Sequence, residues 1–278
     1  MKRQTILSAS FLFLLGASLF QMGCGRREEI ADDNENARES AFADDAFNDS
    51  KSIADQAATG ALTSFKTSED AGIMTNCATI THDSLATPRT ITIDFGSANC
   101  LCNDGRNRRG KIMVSYTGRY RDAGTVITIS HDNFFVNDNQ ILGTKTVTNN
   151  GTNTQGNMTY SVSLANGQVI LAGGGTISHS FDRTREWIAG ASTAQWSDDE
   201  YLITGTAAGT RANGDAWTSV INSSNPLHKI IGCKHFVSGS MDITPTGKPA
   251  RTIDFGNGTC DDEATVTING RSRVITLR

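Results

Sequence analysis

Six cysteines and a repeated tetrapeptide are the residues of this 278-residue chain whose type and spacing suggest chemistry. Ile93, Asp94, Phe95 and Gly96 precede Cys100 by the interval at which Ile253, Asp254, Phe255 and Gly256 precede Cys260, so both stretches read IDFGxxxC. A further cysteine stands upstream of each copy, Cys77 in the first and Cys233 in the second. In an exported chain this pattern predicts two disulfides, Cys77 with Cys100 and Cys233 with Cys260, each closing a loop that contributes about 3 kcal/mol by the chain-entropy estimate. Beyond Cys24 five cysteines remain, so one is odd. Cys102 is taken as the odd one, with Cys77 to Cys102 as the alternative pairing.

Other chemistry is sparse. The DFG triplets share letters with the magnesium signature of protein kinases, but that signature works only beside a Gly-rich loop, a strand lysine and a catalytic-loop HRD, none of which occurs. Asp94 and Asp254 are instead expected to bond turn amides at a strand end. Gly173, Gly174 and Gly175 lack the lysine and hydroxyl of a phosphate loop and read as a turn. His82, His131, His179, His228 and His235 show no HExxH spacing, and there is no CxxC pair, so neither a metal site nor a cofactor is expected. Asp198, Asp199, Glu200 and Asp261, Asp262, Glu263 form acidic triplets at turns without EF-hand spacing. Arg106, Arg108, Arg109 and Lys111 surround an Asp104/Gly105 turn, as a charged hairpin tip or as a contact for lipid phosphates. Trp187, Trp196 and Trp217, with Tyr201, are core anchors or a sugar-stacking surface.

The address is more legible. Lys2 and Arg3 precede the apolar run Ile6 to Phe20, a signal-peptide h-region too short to span about 30 Å of hydrocarbon as a helix. Its end, Phe20, Gln21, Met22, Gly23, Cys24, resembles a bacterial lipobox, which implies removal of residues 1–23 and lipidation of Cys24. Residues 24–50 hold three basic residues (Arg26, Arg27, Arg38) against nine acids (Glu28, Glu29, Asp32, Asp33, Glu35, Glu39, Asp44, Asp45, Asp49) and read as a disordered acidic tether. Arg27, Glu28 and Glu29 resemble the export signal that carries some Bacteroidetes lipoproteins to the outer face of the cell. Residues 51–278 balance 20 basic against 20 acidic residues, so no field gathers a polyanion and nucleic acid is not an expected partner.

The elements that must position these residues are strands. Runs of β-branched residues with period-two character recur at 90–95, 111–116, 125–131, 159–164, 176–181, 201–206, 235–243, 264–268 and 273–277. Asp104/Gly105, Asn150/Gly151, Asn166/Gly167, Asn213/Gly214, Asn257/Gly258 and Asn269/Gly270 punctuate them as hairpin turns that tolerate positive φ. The expected fold is all-β: one domain over 51–278, an extended or curled antiparallel sheet with a β-sandwich as the alternative, and one short helix at 53–65 capped by Ser52.

Cys77 with ITIDFG at 91–96, DGRNRRGKI at 104–112, ILGTKTVTNNG at 141–151, GNMTY at 156–160 and CDDEATVTING at 260–270 resemble a family of Bacteroidetes outer-membrane lipoproteins. The resemblance implies location and β-rich form and carries no functional residue with it. The expectation is therefore a membrane-anchored exported protein with a non-enzymatic binding or structural role, its partners the membrane and an envelope component such as a glycan. A surface glycan-binding protein or glycan hydrolase and a periplasmic lipid carrier are the alternatives.

Overall fold

The computed structural model describes residues 39, 42–54, 57, 77–193 and 198–277. The chain divides into two units, Met1–Glu35 and Asn36–Arg278, and all described residues belong to the second. The signal stretch, Cys24, residues 25–38 of the tether and Trp196 lie outside the described residues.

Helix α1 covers residues 42–54. Fifteen strands follow: β1 (Thr79–Asp83), β2 (Arg89–Asp94), β3 (Cys100–Leu101), β4 (Asn107–Tyr116), β5 (Val126–Val136), β6 (Asn139–Thr152), β7 (Met158–Ile170), β8 (Thr176–Ala189), β9 (Glu200–Thr210), β10 (Ala216–Ile221), β11 (Leu227–Ile230), β12 (Ser238–Pro245), β13 (Arg251–Asn257), β14 (Glu263–Ile268) and β15 (Arg271–Thr276). They make one antiparallel sheet in the order β1-β2-β4-β5-β6-β7-β8-β9-β10-β12-β13-β14-β15, with β3 on β4 and β11 between β9 and β12. One sheet, not two stacked ones, realises the all-β expectation.

Because side chains alternate along each strand, the sheet has two chemically distinct faces. Ile91, Val114, Ile129, Lys145, Leu164, Phe181, Ala207, Ser219, Ile243 and Arg251 lie directly opposite one another from strand to strand, and all are buried. This is the inner face. On the other face, one residue along, few positions are apolar.

The sequence reading placed a disordered tether up to residue 50 and a helix at 53–65. The tether is corrected at residues 39 and 42–50 and the helix at its start: α1 begins at 42, and of the residues after Ala54 only Ala57, also helical, is described up to residue 65. Ala43, Ala46, Phe47, Ser50, Ile53 and Ala54 recur at helical spacing and are buried on the inner face, which offsets the chain entropy that a tether would keep. Phe47 is only 1% exposed.

Two predicted turns are also corrected. Asn150/Gly151 lies within β6 and Asn166/Gly167 within β7, at register shifts and not at hairpin ends. Gly151 is there for its φ of 83°, and Gly167 because backbones meet: a Cβ on Gly167 would sit 2.3 Å from the His179 carbonyl oxygen, and one on Gly143 would sit 2.7 Å from the Gly167 Cα. Such bulges bend long strands, and this bending lets β4, β5, β6 and β8 all reach one short helix. At Asp104/Gly105, Asn213/Gly214 and Asn269/Gly270 the chain does turn between strands, with Asn269 at φ 50° and Gly270 at φ 73°.

Candidate functional site

The inner face meets α1 through charge. Asp44 accepts from His179 Nε2 at 2.9 Å and from Arg183 at 2.9 Å, both on β8. Asp49 accepts from Arg108 of β4 at 2.7 Å, and Asp104 engages the same guanidinium at 2.6 Å. Lys145 of β6 donates to the Phe47 carbonyl at 3.3 Å and to Asn48 at 3.2 Å, while His131 of β5 sits 2.9 Å from the Ser50 hydroxyl. The opening residue, Glu39, accepts from the Ala212 amide at 2.9 Å and pairs with Arg211 at 3.6 Å. Of the acids counted as a tether's charge, Asp44 and Asp49 are thus partners of basic strand residues. A 3.6-residue stripe of alanines with Phe47 was the signal for this, weak because alanine and polar residues dominate it.

Electrostatics follow from the geometry. Burial works against ionised Asp44, but the Arg183 and His179 charges outweigh it and hold the carboxyl well below the usual carboxylate range. For Asp49 burial wins over Arg108 and Arg106, and its carboxyl is pushed up. Burial also lowers His131 to about 4 and Lys145 to about 7, the latter with help from the Lys51 charge.

The remaining predicted residues are not brought together. Asp94 and Asp254 each accept from the amide two residues on, Gly96 and Gly256, at 2.8 Å in both copies, as expected for a strand-end turn. Arg106 pairs with Asp45 at 3.0 Å, Arg109 with Asp138, and Lys111 with Asp94 at 3.1 Å, so the basic cluster is a set of ion pairs. Trp187 and Trp217 are buried core residues, Trp187 stacked on Tyr201 with ring centroids 5.6 Å apart. Asp199 is buried beside the Tyr201 hydroxyl at 3.4 Å, Glu200 faces His228 at 2.9 Å, and Asp261 accepts from the Glu263 amide at 3.0 Å. Among the described residues no group of three or more metal-ligating side chains converges.

Both expected cysteine pairs stand at disulfide distance, Cys77 with Cys100 and Cys233 with Cys260, each with Cα atoms 5.6 Å apart. Each joins the two ends of one hairpin, β1–β2 in the first copy and β12–β13 in the second, so the sequence repeat is a structural repeat. Cys102 is free and buried.

The outer face shows an arrangement that single-strand reading missed. Thr90, Ser115, Thr128, Thr146, Ser163, Asp182, Thr206, Val220, Asp242, Thr252, Thr267 and Ser272 lie opposite one another in register across twelve strands, none of them buried. Nine are Ser or Thr. At about 4.8 Å per strand the row runs about 50 Å. Within it Thr252 donates to Asp242 at 2.5 Å, and Thr267 and Ser272 are 2.8 Å apart.

Fold and site together define a class: an all-β meander with stapled hairpins, an acidic helix docked on its inner face and a hydroxyl-rich outer face. Comparison with known proteins finds no matching family, no similar curated protein and no solved structure of similar fold.

Proposed function

We propose that this chain is an exported lipoprotein of the outer membrane, anchored through Cys24, whose β domain is a non-enzymatic binding module for an extended hydroxylated polymer such as an envelope glycan. The observation that carries the binding reading is the outer hydroxyl row. Each hydroxyl donates and accepts, and a polysaccharide offers the same groups repeatedly, so many weak contacts can be made along one direction. The anchor rests on the lipobox resemblance and agrees with the resemblance to Bacteroidetes lipoproteins. With Glu39 held by Arg211, fourteen residues separate Cys24 from the folded domain. Fully extended they reach about 50 Å, so the domain would work close to the bilayer. A lipid carrier needs its inner face for cargo, and α1 lies on that face. A hydrolase with a tryptophan-lined groove finds no support in Trp187 and Trp217, which are core residues.

The test is co-sedimentation of the full chain with isolated cell-wall glycan, comparing wild type with the triple variant Thr146→Val, Thr206→Val, Thr252→Val. Valine keeps the β-branch and removes the hydroxyl, so folding is retained. At least tenfold weaker binding by the variant is expected. Equal binding by both, or none by wild type, refutes the glycan reading. Mass spectrometry of the mature N-terminus decides the anchor separately, an acylated Cys24 being the expected result.

A further inference from the structure

One of the differences between the two stapled hairpins bears on the bond itself. The first copy reads Cys100, Leu101, Cys102 and the second Cys260, Asp261, Asp262, so Cys102 stands where the repeat has Asp262. A thiol has been placed two residues from a disulfide sulfur, in one copy only.

The surroundings hold that thiol beside the Cys100 backbone. Cys100 and Arg108 are directly opposed in the β3–β4 pair and so share a face, and Arg108 is wholly buried. Cys102, two residues on from Cys100, is also buried, with its Sγ 3.7 Å from the Cys100 carbonyl oxygen. The Arg108 guanidinium on that face is hydrogen-bonded to Asp49 at 2.7 Å and to Asp104 at 2.6 Å. The segment is held in place by the Cys102 amide donating to the Arg106 carbonyl at 2.9 Å and the Gly105 amide donating to the Cys102 carbonyl at 2.9 Å. The thiolate is the nucleophile of exchange.

We infer that Cys77, Cys100 and Cys102 form an intramolecular thiol–disulfide exchange site, in which the bond to Cys77 passes between Cys100 and Cys102. The Cys102 thiol loses its proton to solvent, and the thiolate attacks the Cys77 sulfur. The Cys77–Cys102 bond forms as the Cys77–Cys100 bond breaks, and the electron pair leaves on Cys100, which takes up a proton. One disulfide and one thiol stand on each side, so no oxidant or reductant is needed. The loop closed is only two residues longer than the present 23-residue separation, so neither isomer is favoured by chain entropy. The product puts the thiol on Cys100, which is partly exposed where Cys102 is buried. Exchange therefore brings a sealed thiol to a position that a partner disulfide or thiol reagent can reach. The second hairpin, with Asp262, has no such option.

The test is peptide mapping of the full chain, purified oxidised and incubated dilute at pH 9, then acid-quenched and alkylated at intervals. The expected result is alkylated Cys100 appearing together with a Cys77–Cys102 linked peptide, while Cys233–Cys260 stays unchanged. Cys102→Ser, which removes the attacking sulfur, is expected to hold the Cys77–Cys100 linkage throughout. Alkylation confined to Cys102 at every time, or a Cys100–Cys102 bond with Cys77 as the thiol, overturns the inference. A second variant, Cys100→Ser, is expected to isolate as the Cys77–Cys102 bonded form. If it instead carries free thiols at both 77 and 102 while Cys233–Cys260 is formed, the inference also fails.

Discussion

Replacing Phe47 by alanine is the most direct test of whether residues 42–54 are part of the folded domain. Phe47 is 1% exposed, its ring stacked at 6.3 Å from that of His179 and tilted at 6.2 Å from that of His131. Truncating a phenylalanine in a packed core costs about 3–5 kcal/mol, from lost transfer free energy and the cavity left behind. For a domain of this size each kcal/mol lowers Tm by about 2–4 °C, so a fall of about 10 °C is expected. The internal control is Phe42→Ala on the same helix: Phe42 is 41% exposed, and its removal is expected to change stability by no more than about 0.5 kcal/mol. Thermal unfolding followed by circular dichroism reads both. A tether would make the two substitutions equally silent, so equal Tm values for the two variants would refute the docking of α1.

Three further outcomes are expected. His131 is lowered by burial to about 4, so between pH about 6.5 and about 4 the unfolded chain binds a proton that the folded chain does not; stability is expected to fall by about 2–3 kcal/mol across that window, and His131→Gln to flatten the profile, as read by urea unfolding against pH. Gly167→Ala places a methyl 2.3 Å from the His179 carbonyl and is expected to destabilise by at least about 2 kcal/mol in the same assay, a silent substitution refuting the bulge geometry. The double variant Cys77→Ala, Cys100→Ala opens a loop of 23 residues and is expected to lose about 3 kcal/mol while non-reducing peptide mapping still finds Cys233 linked to Cys260.

Local pattern determined the strands and staples of this protein. Alternating β-branched runs commit a segment to strand because side chains on a pleated backbone must face opposite ways, and most of the observed strands could be read from such runs. The paired IDFGxxxC stretches pointed to both cysteine pairs, with Cys77 to Cys102 left as the alternative, because a repeated sequence folds into a repeated hairpin. Asp94 and Asp254 were legible as turn acceptors because their partners are two residues away. What lay beyond local pattern needed the tertiary structure. Whether Asn-Gly makes a turn or a bulge depends on the strand alongside: Gly167 is set by the carbonyl of His179, twelve residues on. Whether Asp44 and Asp49 are a tether's charge or a buried anchor depends on Arg183 and Arg108, distant in sequence and brought near only when the sheet bends around α1. The hydroxyl row has the same origin, since nine of its twelve strands contribute one Ser or Thr each and only cross-strand register lines them up.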